Sequence, residues 1–194
     1  MSEFEFFFTF YGLVLGLAAA KVLKGVGGLV QARRLKHVGL QTGLLMLFLM
    51  LSICVAWVSA WTNMHEVEIR LGVLAAPLGI AGCYYLAAVI VVPKDMDHWD
   101  SLDAYFAGRK RFVAVLLLAA EVLIDVTAWN QFRRAMTDEP DLFWRWLLPY
   151  NAVTIGLLVA LVFVRGKRWN IAVLSALMVL FTLPYWTGRY VAGL

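Results

Sequence analysis

An all-α membrane bundle is what this sequence predicts, and three observations carry the prediction. Of its 194 residues, 62% are hydrophobic and only 15% charged, against about 45–50% and about 25% in a soluble domain. Six apolar runs, 4–30, 38–61, 69–93, 112–132, 145–164 and 169–191, each reach the roughly 20 residues that cross about 30 Å of hydrocarbon as a helix. Together they use nearly the whole chain and leave too little for a soluble domain with its own core. The expectation is a single integral membrane domain over residues 1–194, a polytopic bundle of six transmembrane helices on those runs with short loops.

The first run opens MSEFEFFFTF, with Glu3 and Glu5 where a secretory signal carries positive charge, so it is read as a retained span although Ala18 to Ala20 imitate a cleavage site. Gly12, Gly16, Ala20, Lys24 and Gly28 recur every four residues, a stripe that lets a second backbone approach closely. Lys21 and Lys24 either snorkel to the head groups at the end of this span or pair with an acid inside the bundle.

The second run has few polar groups besides Gln41, Thr42, Ser52 and Ser59 and reads as a wall of the bundle. In the third, Pro77, Gly79 and Gly82 precede Cys83, Tyr84 and Tyr85, and proline and glycine at such spacing predict a kink or loosened turn. Cys54 and Cys83 differ in depth by about 10 Å, too much for a disulfide.

The connection KDMDHWDSLDAYFAGRKRF places Trp99, Leu102, Tyr105 and Phe106 on one face, offers Asp97 or Asp100 as a cap, and closes on Arg109, Lys110 and Arg111. It predicts a short interfacial helix between the third and fourth spans. Asp95, Asp97, His98, Asp100 and Asp103 are the alternative reading, ligands for a divalent cation, but no glycine occupies the sharp turn that a calcium loop needs.

The fourth run carries the sequence's main anomaly. AAEVLIDVTAWN puts Glu121 and Asp125 one turn apart on one helix face, with Glu121 about 14 Å into the span and Asp125 about 6 Å further. An ionised acid at the bilayer centre costs at least about 2.5 kcal/mol, so the pair faces protein or water, meets a cation, or holds a proton. Three readings stand: a structural pair satisfied by a lysine or by hydroxyls, a proton or cation path, and another ligand site. The fifth run has Pro149 in its first turn, followed by Tyr150 and Asn151. The sixth ends LPYWTGRY, where Pro184 bends the last turns and Tyr185, Trp186, Arg189 and Tyr190 reach the outer surface, as anchors or, for Arg189, to attract an anion.

Charge sets the orientation. Twelve of the 17 Lys and Arg fall on the first, third and fifth connections and their flanking helix ends: Lys21, Lys24, Arg33, Arg34, Lys36, Lys94, Arg109, Lys110, Arg111, Arg165, Lys167 and Arg168. The other side mixes Arg70, Arg133, Arg134, Arg145 and Arg189 with Glu66, Glu68, Asp138, Glu139 and Asp141, which predicts both termini outside the cytoplasm. The net charge of +4 belongs to this bias and to lipid head groups; it carries no nucleic-acid signal. Trp57, Trp61, Trp129, Trp144, Trp146 and Trp186 gather at the non-cytoplasmic rim, while Trp99 and Trp169 lie near the cytoplasmic one. Interfacial anchoring is the ordinary role of such indoles, and an aromatic ligand site is the alternative.

Several chemistries lack their residues. His37, His65 and His98 are all in loops, so no intramembrane pair is available to hold a haem. There is no HExxH, one intramembrane Asp, and no lysine in the interior of the last span for a retinal. No cofactor, metal site or catalytic residue is expected, and the chain reads as a non-enzyme.

Residues 17–34, LAAAKVLKGVGGLVQARR, and 117–134, LLAAEVLIDVTAWNQFRR, coincide at nine of 18 positions with Lys21 opposite Glu121; the same shift of 100 lays VLAA at 73–76 on VLSA at 173–176. Read as an internal repeat, this is a unit of three helices used twice with opposite orientation, a 3+3 inverted repeat with a site between the halves. Lys21 then meets Glu121 where the first and fourth spans cross. The stretches FYGLVLGLAAAKVLKG and SLDAYFAGRKRF resemble a group of uncharacterised small six-helix bacterial inner-membrane proteins. The resemblance implies a multi-pass protein of the bacterial inner (plasma) membrane and brings no activity with it.

Two functions are compatible with these features. One is a small transporter or ion channel for a proton or cation, with Glu121, Asp125, Lys21 and Lys24 as its site. The other is a non-catalytic accessory subunit, scaffold or sensor whose polar residues hold helices together. The expected partners are the lipid bilayer and either further copies of the chain or a partner membrane subunit.

Overall fold

The computed structural model describes residues 3–31, 39–63, 71–92 and 102–186, and all of them are helical or connect helices. The helices are α1 (Glu3–Gln31), α2 (Leu40–Asn63), α3 (Leu71–Val91), α4 (Leu102–Thr127), α5 (Trp129–Asp138), α6 (Pro140–Phe163) and α7 (Lys167–Trp186). A helix lies on each of the six apolar runs. Three of them, α1, α2 and α6, are long and apolar enough to cross a membrane, and a fourth is added if α4 and α5 count as one bent span. The described residues are all-α, and three to four of their helices are apolar enough to span a membrane, which suggests a membrane protein.

Successive long helices alternate in direction, as their end contacts show. Phe4 and Phe8 at the start of α1 lie against Trp57 and Trp61 at the end of α2, with Phe8 and Trp61 edge to face at 5.1 Å. At the other end, Gly25 of α1 approaches Val92 just past α3, and the Tyr105 hydroxyl of α4 donates to the Ile90 carbonyl at 2.6 Å. One end of the bundle is thus basic, with Lys24, Arg109, Lys110, Arg111, Arg165, Lys167 and Arg168, and the other aromatic.

Around the bundle the helices touch in the order α1, α3, α4, α6, α7 and back through α2 to α1. Expected as a wall, α2 is instead the most enclosed helix, packing against α1, α3, α4 and α7. Its inward residues Leu45, Phe48, Leu49, Ile53 and Ala56 are buried, and Phe48 meets Phe181 of α7 edge to face at 5.0 Å. Among lipid tails such contacts stabilise by close packing more than by removal from water.

Other expectations change as well. No separate helix precedes α4 from residue 102 on: α4 already begins at Leu102, and Tyr105, Phe106 and Lys110 are buried within the bundle. That stretch packs against α3, while residues 93–101, with Trp99 and the acids through Asp100, lie outside the described residues. α1 turns Phe7, Tyr11, Leu15, Ala18, Val22 and Leu29 inward, whereas Gly16, Ala20, Lys24 and Gly28 face outward. The small-residue stripe therefore does not seat a neighbouring helix of this chain, apart from Gly12, where Trp57 comes close. α3 runs through Pro77 without interruption.

The fourth apolar run ends early. α4 stops at Thr127, and α5 departs from it at an angle of 57°. α6 contains a π-helical turn at Phe143–Leu147, in which the Leu148 amide donates to the Phe143 carbonyl five residues back. Pro149 comes two residues after the turn's last residue and accounts for it: a proline has no N–H and its ring crowds the carbonyl four residues earlier, here that of Arg145 inside the turn, so the helix widens ahead of it.

Candidate functional site

The polar centre forms where α3, α4 and α6 meet. Glu121 and Asp125 sit on one face of α4, both half-buried. Gly79 of α3 helps bring the helices together: a Cβ there would stand 3.4 Å from Leu123, so glycine leaves the room that this side chain uses. Tyr84 of α3 and Tyr150 of α6 both lie within electrostatic reach of Glu121, Asp125 acts on Glu121 in the same way, and Tyr11 of α1 acts on Tyr84. Tyr11 and Tyr84 are buried, and the Phe7 and Tyr11 rings stack at 5.8 Å. On α6 the Thr154 hydroxyl donates to the Tyr150 carbonyl at 2.9 Å, and the Asn151 amide to the Leu147 carbonyl at 3.0 Å.

Neither carboxylate, among the described residues, has an ion pair or a hydrogen bond, and the same holds for the phenol groups of Tyr11, Tyr84 and Tyr150. The lysines expected as partners stand elsewhere. Gly25 stands against Val92, and the Tyr105 hydroxyl meets Ile90 at the same end of α3. From that end Lys21 is one turn in from Gly25, about 6 Å, and Glu121 about 24 Å in from Tyr105. α3 also packs against both α1 and α4. Lys21 and Glu121 do not pair, because helices entering from opposite faces bring equivalent positions together only at the midplane. Lys24 is exposed, at the basic end.

A second polar cluster, which no sequence motif announces, closes the basic end. Lys110 of α4 donates to the Asn170 side-chain carbonyl at 2.6 Å and to the Val164 backbone carbonyl at the end of α6. The Asn170 amide of α7 in turn donates to Gln41 of α2 at 3.0 Å. All three side chains are buried, at 5%, 3% and 6% exposure, so one ammonium ties four helices together without a carboxylate. Its acceptors are what make its burial tolerable, since charged hydrogen bonds are stronger than neutral ones.

Of the remaining candidates, His37, His65, His98, Arg189 and Tyr190 lie outside the described residues. Cys54 and Cys83 are free thiols. Among the described residues no group of three or more His, Cys, Asp or Glu side chains is arranged to hold a metal ion. The sequence does not single out Tyr84 and Tyr150, since tyrosines in apolar runs read as anchors or as companions of a kink; a hydroxyl at the depth of an intramembrane acid was the available signal. No protein family matches this chain, and neither a curated protein nor a solved structure is significantly similar to it.

Proposed function

We propose that the chain is a small multi-pass membrane transporter or ion channel that moves a proton or a cation through the centre formed by Glu121 and Asp125. One observation carries this reading: two carboxylates a turn apart lie deep in an apolar helix and have no cation or donor in their own chain among the described residues. A structural pair would need that partner, because a buried acid without one is costly. A transported proton or cation supplies it from outside, and the phenols of Tyr84 and Tyr150 provide hydroxyl groups in the same neighbourhood. Lys21 and Lys24 act at the basic end, where their charge influences entry to the path.

In this reading six spans cross the bacterial inner membrane, both termini lie outside the cytoplasm, and the two sets of three helices form an inverted repeat. The chain works as a homo-oligomer or beside a partner membrane subunit. The accessory or scaffold alternative draws on the Lys110 cluster, which binds four helices without offering a path.

Flux decides between them. Proteoliposomes containing the purified protein, read with proton- and potassium-sensitive dyes, should show flux that Glu121→Gln and Asp125→Asn each lower at least about ten-fold, an effect of at least about 1.4 kcal/mol on the barrier, with the bundle still folded. Absence of wild-type flux for protons and for several cations would refute the transport reading.

A further inference from the structure

The surface left unexplained by the proposed path is α5. None of its residues is buried, and it diverges from α4 by 57°. Trp129, Phe132, Ala135 and Met136 fall within an arc of about 120°, and Asn130, Gln131, Arg133, Arg134, Thr137 and Asp138 take the opposite side. Trp129 is 66% exposed and Met136 43%. Such a helix in water would waste its apolar face, and inside hydrocarbon it would strand two arginines.

We propose that α5 is seated in the phosphate headgroup layer of the membrane that the chain spans, with Trp129, Phe132 and Met136 turned to the acyl boundary and Arg133 and Arg134 among the phosphates. Three observations choose lipid over a protein partner. The bend at Ala128 comes about 27 Å along α4 from Lys110, close to the roughly 30 Å at which a span reaches the edge of the hydrocarbon. Trp144 and Trp146 point outward from the adjoining start of α6, 59% and 47% exposed, so indoles flank the helix as they do at a membrane interface. The arginines are available: among the described residues the Arg133 side chain reaches only Asn130, at 3.3 Å, and Arg134 makes no ion pair although Asp138 stands one turn further on. A planar guanidinium matches phosphate oxygens two at a time. This inference is independent of whether anything is transported.

The test uses the full chain in lipid nanodiscs, in a Cys54→Ala, Cys83→Ala background, with an environment-sensitive fluorophore attached after Phe132→Cys or, separately, Thr137→Cys. The ratio of quenching by a lipid labelled near its head group to quenching by aqueous iodide should be about three-fold higher at 132 than at 137. Arg133→Gln with Arg134→Gln should reduce that ratio at 132 about two-fold; an unchanged ratio overturns the phosphate contact. Equal iodide quenching at both sites would place α5 in water, and protection of 132 from both quenchers would show a second copy or another protein covering it. Either result overturns the proposal.

Discussion

Replacing Lys110 with methionine leaves an unbranched side chain one atom shorter and removes its charge. Two charge-assisted hydrogen bonds are lost, to Asn170 and to Val164, each worth about 1.5–3 kcal/mol. The Asn170 and Val164 oxygens are left buried, partly offset by relief from burying an ammonium. The balance is a destabilisation of about 3 kcal/mol, within the about 3–5 kcal/mol typical when one partner of a buried charged contact is removed. Asn170→Leu should cost about 2 kcal/mol by breaking the links to both Lys110 and Gln41. Equilibrium unfolding in mixed detergent micelles of wild type, both single variants and the double variant closes the cycle. Because one contact is removed twice, the double variant should be at least about 1 kcal/mol more stable than the sum predicts. Additivity within about 0.5 kcal/mol would mean that the two residues do not act as one cluster.

Two further perturbations probe the packing. A Cβ at Gly25 would sit 2.7 Å from a Val92 methyl, so Gly25→Val should destabilise by about 1–3 kcal/mol, and Val92→Ala should restore part of the loss in the same unfolding assay. Phe48→Ala removes a ring that is 1% exposed and set against Phe181, and should cost about 3–5 kcal/mol; a loss below about 1 kcal/mol would mean that the α2–α7 contact contributes little.

Length and hydropathy were enough to place the helices, since both are properties of a short segment. What each helix faces was not legible, because lipid and protein interior are equally apolar. On α1 the glycine spacing pointed to one face while Phe7, Tyr11, Leu15 and Val22 pack on another. Glu121 and Asp125 stood out because a charge in an apolar run is locally anomalous, but the missing cationic partner is a property of helix order and depth. Lys110 illustrates the opposite difficulty. Within GRKRF it looks like one more interfacial cation, and nothing in the chain marks that Gln41 and Asn170, far away in sequence, will enclose it. The departure of α5 was hidden for a similar reason: Trp129 and Phe132 extend the apolar run, and only the arc they share, set against two arginines, separates them from α4.

The π turn in α6 amounts to one residue added to a helix, and it fixes rotational phase. A residue inserted in a helix turns everything on one side of it by about 100° relative to the other. Phe143 and Leu147, buried within the turn, and Thr154, buried beyond it, are spaced by four and seven residues and so share one side of α6, the side from which Tyr150 reaches the Glu121 neighbourhood. Widening a single turn absorbs the extra residue locally instead of passing the rotation on. The aromatic start and the basic end of α6 thereby belong to one uninterrupted helix.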